Sequence, residues 1–136
     1  MSEATFTPRV LVVDDNEAHS YALAHMLRAR GARVRQARTA QEALELAVDN
    51  TDVMLLDIHL PDMTGYALLE RLRQDPRTAS LPVILASAVE PAGHARSTAQ
   101  ALGVAAFLTL PVIPDDLWIV VQATINRSQT QRKPAD

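Results

Sequence analysis

The chain has 136 residues, a formal net charge of -3, 48% hydrophobic and 21% charged residues, which fits one globular domain with a proper core and is too short for two. It has no cysteine, which excludes disulfides, thiol catalysis and cysteine-ligated metals. The acidic balance argues against direct binding of nucleic acid, and no apolar run approaches the roughly 18 residues that span a bilayer. The opening MSEATFTPR lacks a basic region followed by an apolar stretch, so the expectation is a cytoplasmic protein with no membrane partner.

Residues 1 to 8 read as a short disordered lead from a genuine start at Met1. Arg9 to Val13 is an apolar strand that ends on Asp14 and Asp15. Asn16 can cap a helix from Glu17 to about Arg30, with Leu23, Met26 and Leu27 on one face and Gly31 where helices usually end. Arg33 to Ala37 alternates like a strand near a sheet edge. Thr39 and Glu42 have capping-box spacing ahead of Ala40, Ala43, Leu44, Ala47 and Val48, a helical pattern. The run from Val53 then ends on Asp57 and breaks into a loop carrying Pro61, Asp62 and Gly65.

Thr64 can cap the next helix, Gly65 to Gln74, which turns Leu68, Leu69 and Leu72 inward. Leu81 to Ala86 is a further apolar strand and ends on Ser87. Pro91 to Leu102 reads as a helix rich in alanine and small polar residues, which buries little area. Ala105 to Leu108 is the fifth strand, and the last helix runs from about Asp115 to Asn126. Its buried stripe is Leu117, Val120, Val121, Thr124 and Ile125, which leaves Ile119 facing away and Trp118 at the edge. Residues 127 to 136 read as a polar tail or a linker into something further.

Five alternations of strand and helix predict an α/β doubly wound parallel sheet over residues 9 to 126. Ligands in that architecture sit outside the carboxyl ends of the strands, where Asp14, Asp15 and Asp57 all fall. If the two strands are neighbours, three carboxylates meet in one crevice. Two carboxylates about 5 Å apart at an effective dielectric near 20 repel by roughly 3 kcal/mol, so the set needs a cation. Magnesium suits hard oxygen ligands and neutralises an incoming phosphoryl group. One aspartate is then the nucleophile and the others hold the metal. The bland alternative is a group of strand-end aspartates acting as helix caps. A magnesium-dependent phosphohydrolase with an aspartate nucleophile is a further alternative. Such proteins usually carry a second aspartate two residues on, where this chain has His59.

LVVDD at 11 to 15, LLDIHLPDMTG at 55 to 65, LPVILASA at 81 to 88 and FLTLP at 107 to 111 together resemble the receiver domains of two-component response regulators, from about Arg9 to Asn126. The resemblance implies a flavodoxin-like (βα)5 fold with strand order 2-1-3-4-5. It implies a bacterial-type phosphorelay role in which Asp57 accepts a phosphoryl group from a sensor histidine kinase or phosphotransfer protein. Asp14, Asp15 and Asp57, with the backbone carbonyl of His59, would hold Mg2+. Ser87 matches the switch hydroxyl and Phe107 the switch aromatic. Such domains are acceptors with at most self-phosphorylation and self-dephosphorylation activity. They dock partners or form homodimers through helix 4, strand 5 and helix 5.

One position departs from the pattern: Leu110 stands where the family has a lysine, before a proline whose peptide bond is cis in the family. Its loss leaves open a pseudo-receiver, an interaction module whose output no longer depends on phosphorylation. Val89, two residues past Ser87, is apolar where a polar residue would orient water, so slow self-dephosphorylation is expected. The histidines do not form a metal set by spacing: His19 and His25 are six apart on one helix, and His59 and His94 lie elsewhere. His59 would overhang the site or lie on the open surface.

Overall fold

The computed structural model describes residues 6–89 and 91–132, so the expectation for residues 1 to 5 and 133 to 136 lies outside the described part. Five strands, β1 (Arg9–Val13), β2 (Arg33–Ala37), β3 (Val53–Leu56), β4 (Val83–Ser87) and β5 (Ala106–Thr109), alternate with five helices. These are α1 (Glu17–Ala29), α2 (Ala40–Leu46), α3 (Gly65–Gln74), α4 (Gly93–Ala101) and α5 (Pro114–Arg132). The strands pair in parallel in the order β2-β1-β3-β4-β5, which is the expected topology.

The near-continuous apolar runs have a simple cause. The three inner strands are covered on both faces, so consecutive residues serve two different cores. Val10, Val12, Leu55, Ile84 and Ala86 pack with Leu23 and Leu27 of α1 and Leu117, Val121 and Ile125 of α5. Leu11, Val13, Met54, Leu56, Val83 and Leu85 pack instead with Ala40 and Ala43 of α2, Leu68, Leu69 and Leu72 of α3, and Ala99 of α4. The edge strands β2 and β5 are only partly buried. In α4, Ala99 is the one buried residue, as its composition implies.

Helix ends follow their caps. Asn16 Oδ1 accepts from His19 N–H, Thr39 Oγ1 from Glu42 N–H, and Thr64 Oγ1 from Ala67 N–H, each satisfying an orphan donor of a first turn. The return half of the capping box at α2 is shifted by one residue, because the Glu42 carboxylate accepts from Arg38 N–H. Gly31 ends α1 at φ +96°, a conformation that side chains oppose. The last helix continues to Arg132, beyond the expected end at Asn126. Pro8 is buried, and its carbonyl accepts from Arg33 N–H at 2.8 Å, so the sheet ties down the chain just ahead of β1.

Arginines close the amino-terminal edge of the sheet. Arg9 pairs with Asp52 at 3.0 Å. Arg35 donates to the carbonyls of Leu46, Asp49 and Asn50 and to Thr51 Oγ1. Arg73 donates to the carbonyls of Leu102, Thr78, Ala79, Leu81 and Gly103. A groove of about 750 Å³ lies at this edge, lined in part by Arg73, Pro82, Gly103 and Arg127. Asp14, Asp15 and Asp57 lie at the opposite edge.

Candidate functional site at the carboxyl edge of the sheet

Val13 of β1 and Leu56 of β3 are in register, so the residues that follow them, Asp14 and Asp57, leave the sheet side by side. The Asp57 N–H donates to Val13 O at 2.9 Å, and the Asp14 N–H to Ala37 O at 3.0 Å. Both side chains are buried, at 9% and 2% exposure. Asp14 Oδ1 accepts from Asn16 N–H at 2.9 Å, while its Oδ2 is buried with no hydrogen-bond partner. Burial pushes the Asp14 carboxyl up, and the negative charge of Asp57 adds to the rise, against opposing contributions from Asn16 N–H and His19. A buried carboxylate without compensation disfavours its charged form.

The loop after Asp57 is folded tightly against it. Gly65 N–H donates to Ile58 O at 2.6 Å, and a Cβ on Gly65 would come within 2.4 Å of Asp57 O. Gly65 is therefore required where α3 starts against the backbone of Asp57 and Ile58. His59 forms a backbone bridge with Thr64, and the residue is exposed. Asp62 reaches across to α2, where its carboxylate accepts from Ala40 N–H at 2.9 Å and Gln41 N–H at 3.0 Å. Those two bonds hold its carboxyl below the usual range.

On the other side of Asp57, Leu56 is in register with Leu85 of β4, so Ser87 lies one residue beyond the level of Asp57. Ser87 is buried at 3% exposure, and its Oγ accepts from Val89 N–H at 3.4 Å. Phe107 of β5 is in register with Leu85 and half-buried, with the Arg96 guanidinium carbon 4.1 Å from its ring centroid. Val89 is exposed at 62%. Leu110 is 8% exposed and belongs to the apolar cluster with Leu117 and Val121, so its side chain is core. The Leu110–Pro111 peptide bond is cis.

Of the three expected carboxylates, the structure pairs two. Asp15 is exposed, and among the described residues no three His, Asp or Glu side chains are drawn together closely enough to hold a metal ion. The reason lies in the chain path: Asp14 still follows the β1 pairing, whereas Asp15 is already in the turn that opens α1. The residues nonetheless fit magnesium. A buried carboxylate oxygen is unpartnered, the available donors are hard oxygens, and magnesium fills its remaining positions with water.

Two contributors escaped the sequence reading. His19 Nδ1 lies 3.3 Å from Asp14 Oδ2, yet neither atom gains a hydrogen bond. His19 was set aside because no second histidine matched it in spacing. The available signal was its place in the first turn after a strand-end aspartate, since helical side chains lean back toward the amino terminus. Asp62 was read only as a loop former, and a carboxylate that caps a helix distant in sequence leaves no local pattern.

A model of the response regulator receiver domain matches residues 10–122. The response regulator PleD of Caulobacter vibrioides is 36% identical over 126 residues, covering 92% of this chain and 26% of PleD. The DNA-binding dual master transcriptional regulator RpaA of Synechocystis is 32% identical over 124 residues, covering 89% of this chain and 50% of RpaA. The chain thus spans a quarter to a half of the length of these relatives. The crystal structure of a CheY-like receiver domain protein from Methanospirillum hungatei matches with a TM-score of 0.84 at 26% identity, over 93% of this chain and 99% of that one. With the sheet order and the strand-end acids in place, the chain belongs to the response regulator receiver domain family.

Proposed function

We propose that this receiver domain takes a phosphoryl group on Asp57 from a phosphohistidine of a sensor kinase or phosphotransfer protein and changes a protein-binding face in response. The observation that carries the reading is the buried Asp14 carboxylate beside Asp57, with one oxygen unpartnered. A carboxylate oxygen of Asp57 attacks the phosphorus. A P–O bond forms as the P–N bond breaks, and the electron pair leaves on the donor imidazole. Asp14, Asp15, Asp57 and the His59 carbonyl are the candidate ligands of Mg2+, which supplies charge neutralisation to the phosphoryl oxygens when bound.

Ser87 is the switch hydroxyl in this reading. Its Oγ, which accepts from Val89 N–H, turns to donate to a phosphoryl oxygen. Phe107, partly buried under Arg96, follows into the space released. The output face is α4, β5 and α5, where Ile113 and Ile119 are each 64% exposed, and it serves a partner protein or a second copy. DNA contact is not part of this reading, nor is catalytic turnover of other substrates. The place of action is the cytoplasm.

The chain's single lysine is Lys133, outside residues 9 to 126, and Leu110 gives the site no ammonium. The test is incubation with Mg2+ and acetyl phosphate, followed by intact mass. A gain of one phosphoryl group, lost in Asp57→Asn, is expected. Absence of the gain in the parent, with recovery in Leu110→Lys, would overturn the proposal and favour a phosphorylation-independent interaction module.

A further inference from the structure

We propose that His19 Nδ1 and Asp14 Oδ2 are two ligands of one divalent cation, and that the imidazole moves the preference of the acidic pocket from magnesium toward a borderline transition ion such as Zn2+ or Co2+. The inference deepens the acidic-site reading above and rests on that pocket, though not on phosphoryl transfer to Asp57.

The spacing of the two donors suits one shared cation. Both atoms are buried, both lack a hydrogen-bond partner, and they stand 3.3 Å apart. An ion bound about 2.0–2.1 Å from each of two ligands at the tetrahedral angle holds those ligands about 3.3 Å apart. The two atoms are within ion-pair distance, yet their approach does not meet hydrogen-bonding geometry. Two buried polar atoms left unsatisfied in contact are costly unless something sits between them.

Both donors are also held in place. Asp14 Oδ1 is fixed by Asn16 N–H, and Asn16 Oδ1 in turn fixes the N–H of His19. This relay orients the first turn of α1, so the carboxylate and the imidazole reach the same point without searching. The His19 side chain is 32% exposed against 2% for Asp14, so a small ring rotation gives an ion its entry path. Two protein donors leave the remaining positions to water on the side of Asp57, whose charge already acts on Asp14.

The choice of metal follows from the nitrogen. Imidazole suits zinc and its neighbours, whereas Mg2+ prefers oxygen ligands. The test titrates the parent, His19→Gln and Asp57→Asn with Zn2+, Co2+ or Mg2+ alone, by calorimetry. In parallel, Zn2+ is titrated into the ¹⁵N-labelled parent while the histidine ring nitrogens are followed by NMR. His19→Gln should lose at least about tenfold in Zn2+ and Co2+ affinity while its Mg2+ affinity changes by less than about twofold. The Nδ1 resonance of His19 should move on Zn2+ addition while those of His25, His59 and His94 stay. Equal Zn2+ affinity in the parent and His19→Gln, or an unmoved His19 resonance, would overturn the inference. A parent that binds Zn2+ through His19 but is never labelled by acetyl phosphate with Mg2+ would sink the proposed function and leave this site standing. Labelling without a His19 shift would do the reverse.

Discussion

The two edges of the sheet are built on opposite principles. At the amino-terminal edge Arg9, Arg35 and Arg73 spread their donors over loop oxygens, and Arg73 joins α3 to the loops that enter β4 and β5. At the carboxyl edge a buried carboxylate oxygen and a buried imidazole nitrogen face each other at 3.3 Å without a hydrogen bond. The molecule uses arginines as scaffold at one edge and leaves a buried Asp14 oxygen without a hydrogen bond at the other. Local dissatisfaction of this kind persists only where the surroundings over-determine the fold. The arginine edge supplies part of that rigidity and the acidic edge is free to bind.

Breaking the scaffold edge should have the largest effect. Arg73→Ala removes every donor of a half-buried guanidinium and strands several carbonyls, at about 3 kcal/mol, or roughly 10 °C in Tm. Burial lowers the pKa of this group, but a guanidinium is too basic to lose its proton at neutral pH, so it stays charged and the loss is one of hydrogen bonds. Thermal unfolding followed by circular dichroism measures it, and acetyl phosphate labelling of the variant well below its Tm should be unchanged. Loss of labelling there would mean that the two edges are not independent. Relieving the acidic edge should act with the opposite sign. Asp14→Asn keeps the oxygen that accepts from Asn16 N–H and removes an uncompensated buried charge, so the metal-free protein should gain about 1 kcal/mol. The same variant should lose the rise in Tm that Mg2+ gives the parent. A variant that is destabilised without metal, yet still stabilised by Mg2+, would contradict the contrast.

The same division explains what was legible in the sequence. The strand-end positions of Asp14, Asp57 and Ser87, the three side-chain caps and the apolar stripes of α3 and α5 follow from periodicity and local hydrogen bonding. Those rules act within a few residues, and the structure agrees with them to within a residue or two at most element ends. What stayed hidden depends on long-range contact. Leu110 read as a loss from the site, and only the packing reveals that it is part of the core with Leu117 and Val121. The five carbonyls on Arg73 come from two loops distant from it in sequence or across a turn, and nothing in the spacing of one arginine announces them. Asp15 beside Asp14 looked equivalent, and the turn into α1 separates them.

The smallest expected effect concerns two carboxyls with depressed pKa values, one at each edge. Asp75 is held down by Arg77, first through the side-chain hydrogen bond and then through the Arg77 N–H, a contact within one loop. Asp62 is held down by the N–H groups of Ala40 and then Gln41, a contact between the loop after Asp57 and the start of α2. In both cases the ionised form is favoured by the fold. Their contribution is therefore present above the unfolded carboxyl value, near 3.9, and is lost as pH falls through the lower folded value. Acid should then release two different things. At Asp75 it frees a turn that Thr78 also holds through its bond to Leu72 O, so little moves. At Asp62 it unties α2 from the acceptor loop, and the Ala40 and Gln41 amides should exchange faster with solvent than their neighbours below about pH 4. Asp62→Ala should show that fast exchange at neutral pH and no further acid dependence, with a Tm loss smaller than that of Arg73→Ala. Unchanged protection of these two amides in the variant would mean that α2 is held by its own Thr39 cap and that the tie to the acceptor loop carries no coupling.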